Sequence, residues 1–262
     1  MKKLLILITL TFSISVFSQS SSNISLVGSL NYPGTEGNDI WGYVDSTGTE
    51  YALVGMQNGF SVVNLSVPSN PTELFFIPGV QSTWRDIKVW GNYAFVTADE
   101  GTNGLLIVDL TDLTGNTYLY TTIDNNNEFI CSRAHNIFID EQGKAYLFGG
   151  DVGGNSQDSA GVIILDVTNV SIDNNIVLPT ILGLFEDFYL HDGMVRGDTL
   201  WGAAVYEGNF YALDVSNPFN PKIFNEGQAF HQTPNIFTHN CWISDNGNYL
   251  FTTDEKSGAY IA

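Results

Sequence analysis

Five dipeptides recur along the chain at near-even spacing: Asn38-Asp39, Arg85-Asp86, His135-Asn136, His191-Asp192 and His239-Asn240. Their second members lie 47, 50, 56 and 48 residues apart. If a repeating fold brings these positions to one axis, three His and three Asp from distant sequence meet at one place. Three kinds of chemistry then open. A His beside an Asp can act as a general base, with Arg85 stabilising an anion. The oxygens of Asp39, Asp86, Asn136, Asp192 and Asn240 suit a hard cation such as Ca2+. His135, His191 and His239, with Asp86 and Asp192, suit a transition metal instead. The plain alternative is that these side chains bond to loops of neighbouring repeats and seal the structure, because buried polar groups need partners. Trp84, just ahead of Arg85-Asp86, is the tryptophan expected to be exposed, whereas Trp90, Trp201 and Trp242 fall within strand patterns and are expected in the core. Acidic residues form a further column at turns: Asp99-Glu100, Asp151, Glu207 and Asp254-Glu255. If those turns share a face with the His and Asp column, they enlarge an acidic bowl.

The elements that would position these residues follow from a second repeat. A glycine opens an apolar run ending in Asn or Asp, followed two residues on by Ser or Thr: Gly59–Ser66, Gly104–Thr111, Gly161–Thr168 and Gly208–Ser216, with a fifth starting at Gly258. The anchors Asn64, Asp109, Asp166 and Asp214 are spaced by 45, 57 and 48 residues, the length of a propeller blade. Each anchor side chain can accept from the backbone two residues on and so shape the turn. Short runs rich in Val, Ile, Leu, Phe, Tyr and Thr alternate with Gly, Asn, Asp and Pro clusters, which is strand punctuation. The expected fold is therefore all-β, a β-propeller of four-stranded antiparallel blades. About five are expected, over 38–77, 85–124, 134–184, 190–228 and 238–262. Pro71 and Pro221 confine the approach to each fourth strand. Residues 24–32 read as a lone strand that would complete the last blade, and a larger, truncated propeller fits the pattern equally.

Residues 1–18 are separate from this array. Lys2 and Lys3 precede an apolar stretch from Leu4 to Phe17, then small polar residues, the pattern of an export signal and too short to span a bilayer. Residues 19–262 would be the exported propeller, secreted or at the cell surface, without a membrane span and monomeric. Its removal leaves 7 basic against 28 acidic side chains, a net charge of −21, which repels nucleic acid and anionic membranes. Cys131 and Cys241 lack CxxC spacing and stand in non-adjacent repeats, so the sequence leaves their pairing open. The stretches 124–128 (DNNNE) and 151–160 (DVGGNSQDSA) are candidate loops for calcium or ligand.

The runs GLLIVDLT and GVIILDVT look like the LVIVD repeat. The strings WRDIKVWGNYAFVTADEG and AHNIFID, with DIWGYVDSTGTEYALVG, resemble the choice-of-anchor B family of secreted bacterial proteins, often from the Bacteroidetes. That resemblance implies a β-propeller with surface display or release, and it carries no catalytic residues over. The reading from sequence is a binding or scaffold module for an extracellular protein, peptide or glycan. The alternative is a metal-dependent hydrolase or lyase using the His and Asp column. No P-loop, dinucleotide fingerprint, GxSxG elbow or HExxH helix is present.

Overall fold

The computed structural model describes residues 24–123, 129–150, 161–233, 236–256 and 258–261. The signal-like segment 1–18, the two candidate loops 124–128 and 151–160, and Asp151 with them lie outside the described residues. Five antiparallel sheets follow one another. The first holds β1 (Gly37–Val44), β2 (Glu50–Met56), β3 (Gly59–Asn64) and β4 (Thr72–Pro78); the second holds β5 (Ile87–Trp90), β6 (Tyr93–Val96), β7 (Leu105–Asp109) and β8 (Thr117–Tyr120). A short hairpin, β9 (Thr122–Ile123) with β10 (Phe129–Ile130), leads to the third sheet. That sheet comprises β11 (Asn136–Ile139), β12 (Lys144–Phe148), β13 (Val162–Asp166) and β14 (Thr180–Phe185). The fourth comprises β15 (Asp192–Arg196), β16 (Thr199–Ala204), β17 (Asn209–Asp214) and β18 (Lys222–Ile223), with β19 (His231–Gln232) also pairing to β17. The fifth has β20 (Thr238–Ile243), β21 (Leu250–Asp254) and β22 (Gly258–Ile261). The only helical turn among the described residues is a 3-10 turn at Asn225–Gly227.

The third-strand repeat does what its residues dictate. Asn64, Asp109, Asp166 and Asp214 each accept from the backbone N–H two residues on, at 2.7, 2.7, 2.9 and 2.9 Å. That bond turns the chain out of the strand. The opening glycines have a steric cause. A Cβ on Gly104, whose φ is +76°, would stand 2.0 Å from the Tyr120 carbonyl oxygen. Only glycine allows the third and fourth strands to meet so closely there.

Apolar alternation then builds the core between sheets. On the second sheet, Ala94, Val96, Leu106 and Val108 face the first, packing on Leu53, Phe60 and Val62. Their neighbours Phe95, Leu105 and Ile107 face the third, packing on Ile137, Leu147 and Ile163. Being covered on both sides, β7 is buried at every position, as a strand between two layers must be. Two further clusters join the third sheet to the fourth and the fourth to the fifth. Among the described residues no apolar cluster joins the fifth sheet to the first. At those outer sheets Ile40, Val44, Trp242 and Phe251 are exposed.

Two expectations change. Residues 24–32 form no strand and do not complete the fifth sheet. They lie on the first sheet instead: the position of a Cβ on Gly28 is 2.2 Å from the Pro68 carbonyl oxygen, and the Tyr32 hydroxyl is 2.8 Å from Ser61 Oγ. The partner that satisfies Tyr32 is therefore on the wrong sheet for closure. Trp242 is not core; it is about half exposed and sets its ring edge-on to Phe138 at 6.2 Å. Cys131 and Cys241 are both buried free thiols. Among the described residues no helix is long and apolar enough to cross a membrane.

Candidate functional site

The five inner strands begin around one axis, and the recurring dipeptides sit at those beginnings. Consecutive residues of an extended chain point to opposite sides. The dipeptides are therefore split into two tiers.

The second members form the inner tier. Asp39, Asp86, Asn136, Asp192 and Asn240 line a cavity of about 220 Å3 together with Trp41, Lys88 and Trp242. Asp39 and Asp86 each give an oxygen to the next sheet. Asp39 Oδ2 accepts from Ile87 N at 3.0 Å, and Asp86 Oδ2 accepts from Ile137 N at 2.9 Å. Lys88 Nζ donates to both Asp86 oxygens, at 2.9 and 3.1 Å, and lies 4.4 Å over the Trp41 ring. Burial, and then a hydrogen bond with Asp86, pushes the Asp39 carboxyl up to about 7. The Asp192 carboxyl, buried at 4% exposure, is pushed well up by its desolvation and by the Asp86 charge. Like charges held this close keep a proton among them.

The first members form the outer tier, with two exceptions, Asn38 and Arg85. His135, His191 and His239 lie in a row with His191 in the middle, ring centroids 4.1 and 4.6 Å apart and ring planes tilted by 47° and 53°. His135 Nδ1 is 3.2 Å from Asp99 Oδ2, and His191 Nδ1 is 3.1 Å from the His239 carbonyl oxygen. Both acceptors fix a proton on Nδ1. His239 Nδ1 is 2.7 Å from Glu255 Oε1. Burial and the two flanking imidazoles push His191 down to about 3, so it is uncharged at neutral pH.

Arg85 is one of these two exceptions. Its side chain turns away from the mouth, into the junction of the first two sheets, where Nε donates to the Met56 carbonyl at 3.0 Å and Nη2 to that of Val80 at 2.7 Å. It is buried, and desolvation lowers its pKa. An anion-stabilising role for Arg85 is replaced by a structural one. Its backbone N–H is in turn held by Asn38 Oδ1 at 2.8 Å.

His135 and His191 open into a cleft of about 360 Å3. Trp84 lines it and is 47% exposed. From the turn column, Asp99, Glu100 and Glu255 line the same cleft, so those turns do share its face. Glu207 instead accepts from the Tyr211 hydroxyl, and Asp254 is buried against Thr233. The cleft also contains Arg133, Tyr189, Tyr206 and Phe237, which the sequence reading missed. A signal was there: Arg133, Tyr189 and Phe237 each stand two residues before a column His. Among the described residues, no group of three His, Cys, Asp or Glu side chains is arranged to hold a metal ion. The described lining of the cleft has no Ser, Thr, Cys or Lys.

Residues 48–77 and 83–121 match the LVIVD repeat. These spans cover most of the first two sheets. In fold, the chain is similar to the β-propeller domain of Cps50 (Swd1) from Myceliophteria thermophila, with a TM-score of 0.58 at 10% identity. The match covers 82% of this chain and 66% of that one. It is also similar to the computationally designed Ika8 protein, with a TM-score of 0.52 at 12% identity over 86% of this chain and 57% of that one. The chain thus spans about three-fifths of the length of these two structures. No curated protein sequence matches it. At such identities the likeness concerns fold alone, and the fold is a β-propeller built with LVIVD repeats.

Proposed function

We propose that this chain is a non-enzymatic binding module, secreted or displayed at the cell surface, that takes an extracellular protein, peptide or glycan at the cleft beside the His row. The observation that carries this reading is the cleft itself. Four sheets deliver side chains to one 360 Å3 hollow from equivalent positions, with an exposed tryptophan at its edge, and concave sites with aromatic walls and a few polar groups are where ligands bind. Export is supported by the short apolar segment behind Lys2 and Lys3. The WRDIK and AHNIFID strings support a relation to choice-of-anchor B proteins. The open faces of the first and fifth sheets suit a larger propeller.

A second reading, a hydrolase or lyase, draws on the Asp99–His135 pair at 3.2 Å, the arrangement of an oriented general base. Against it, the described lining supplies no Ser, Thr, Cys or Lys nucleophile, and His191 is too weakly basic to take a proton efficiently. The test is a glycan and peptide array probed with the purified chain and with Trp84→Ala. Loss of the bound spots in the variant is expected. An unchanged spot pattern would remove the cleft as the binding site. A stoichiometric transition metal in the purified chain, lost on His191→Ala, would favour the enzyme.

A further inference from the structure

Of the four Asp, Glu, Lys or Arg side chains in the described lining of the cleft, three are carboxylates. Asp99 and Glu100 follow β6, and Glu255 follows β21, so three carboxylates reach one hollow from two hairpins. His191, uncharged and with Nδ1 occupied as donor, adds an Nε2 lone pair. Arg133 is the one basic side chain in the described lining. The walls are aromatic: Trp84 and Tyr206 are 47% and 60% exposed, and Tyr206 packs on Tyr189 at 5.3 Å. The Lys256 ammonium, itself outside the lining, lies 4.7 Å over the ring of Phe237, one of the aromatic rings of the cleft. A chain of net charge −19 further concentrates cations at its surface.

An anionic ligand would meet three carboxylates and a single arginine. A chelated metal would need converging donors, which the row of imidazoles does not provide. A cation with N–H donors meets mostly complementary groups: carboxylates and the His191 imidazole accept its hydrogen bonds, and ring faces attract its charge. We propose that the cleft takes an ammonium or guanidinium head, held against Glu100 and the Trp84 and Tyr206 rings, as offered by a free amine or by a basic peptide side chain. This rests on the cleft being the binding site.

The test is an NMR titration of the full chain, following the Trp84 indole N–H, assigned by its loss in Trp84→Phe. The probes are n-butylammonium and the blocked tripeptide N-acetyl-Gly-Lys-Gly-amide, with n-butanol and N-acetyl-Gly-norleucine-Gly-amide as neutral counterparts and methyl β-glucoside as a sugar. Each cationic probe is expected to bind at least about tenfold more tightly than its neutral counterpart. Glu100→Gln and Tyr206→Ala should each weaken it about fivefold. A tripeptide tighter than the free amine identifies a basic peptide as the source, and equal affinity a free amine; either supports the proposal. Neutral and cationic probes shifting Trp84 alike, or an affinity unmoved by Glu100→Gln, would overturn it. The sugar shifting Trp84 while the cations do not would overturn the cationic ligand and keep the cleft as the site. Silence at Trp84 from every probe, with array binding unaffected by Trp84→Ala, would remove both.

Discussion

The two tiers around the axis have nearly the same origin in sequence and opposite fates. In the inner tier, Asp39 and Asp86 direct an oxygen to the backbone N–H at the start of the next sheet, so each is a pin between sheets. In the outer tier, His135 and His191 fasten only Nδ1 and keep the other edge of the ring for the cleft. Adjacent residues, separated only by strand alternation, therefore divide the work of holding the ring of sheets from the work of meeting a ligand. Stability should track the inner tier and binding the outer one.

The largest effect that would sharpen this contrast is expected at Asp86. It is 8% exposed, shares Lys88 and the Ile137 N–H, and bridges two sheets. Asp86→Ala leaves that N–H without its acceptor and the Lys88 ammonium with the Ile87 carbonyl in place of a carboxylate, which should cost about 3 kcal/mol. Chemical denaturation followed by far-UV circular dichroism measures it. A loss below about 1 kcal/mol would deny the inner tier its pinning role.

The next effect is in pH dependence, where the tiers should have opposite signs. Asp39 has its folded pKa raised to about 7 from an ordinary 3.8. The folded state holds its proton over that interval while the unfolded state does not, so stability from Asp39 is full below about pH 4 and is lost as pH rises towards 7. His191 is lowered to about 3 from 6.5. Here the unfolded state takes the proton first, so stability is full above pH 6.5 and is lost as pH falls towards 3. Between pH 4 and 6.5 the two oppose each other and the wild-type profile should be shallow. Asp39→Asn, which keeps an oxygen for the Ile87 N–H, should tilt the profile upward with pH relative to wild type, with the raised Asp192 carboxyl still opposing that rise. His191→Asn, which keeps a donor for the His239 carbonyl, should expose one falling with pH. Denaturation midpoints at half-unit pH steps separate them. Parallel profiles for the two variants would erase the distinction between the tiers.

How much of this was legible in sequence depends on period. The anchors, the third strands and the sheet count follow from a repeat of about fifty residues, because every copy solves the same packing problem between two neighbours. The meeting of the three His rings followed from the same repeat. The tier split was legible in principle, since Arg85-Asp86 and its counterparts are consecutive residues that cannot share a surface, but treating each pair as one unit concealed it. Arg85 was not legible: whether its long side chain faces the mouth or reaches back to the Met56 and Val80 carbonyls is decided by tertiary contacts. The aromatic walls were missed because Tyr189 and Phe237 carry no catalytic chemistry of their own and look like ordinary strand residues. The role of residues 24–32 was missed because an alternating pattern does not say which sheet it lies on.

The smallest effect is the most discriminating, because it asks the outer tier to be dispensable for folding. Glu100 and Trp84 are exposed at the cleft. The Glu100 backbone N–H, not its carboxylate, is what Ser82 Oγ holds, at 3.3 Å. Glu100→Gln preserves that backbone bond and the side-chain volume, so its effect on stability should stay within about 0.5 kcal/mol, as for surface positions without special contacts. Trp84→Ala removes one face from His135, 5.7 Å away, but its own backbone carbonyl still accepts from Ser82 Oγ at 2.6 Å, so the turn that carries it is kept and the cost should be about 1 kcal/mol or less. The same denaturation series that gauges Asp86→Ala reads both. If Trp84→Ala rivals Asp86→Ala, the cleft wall supports the ring of sheets, and ligand loss in that variant would report unfolding rather than a lost contact. Near-wild-type stability combined with lost binding would instead assign the outer tier to recognition, since folding would then be carried by the pins beneath it.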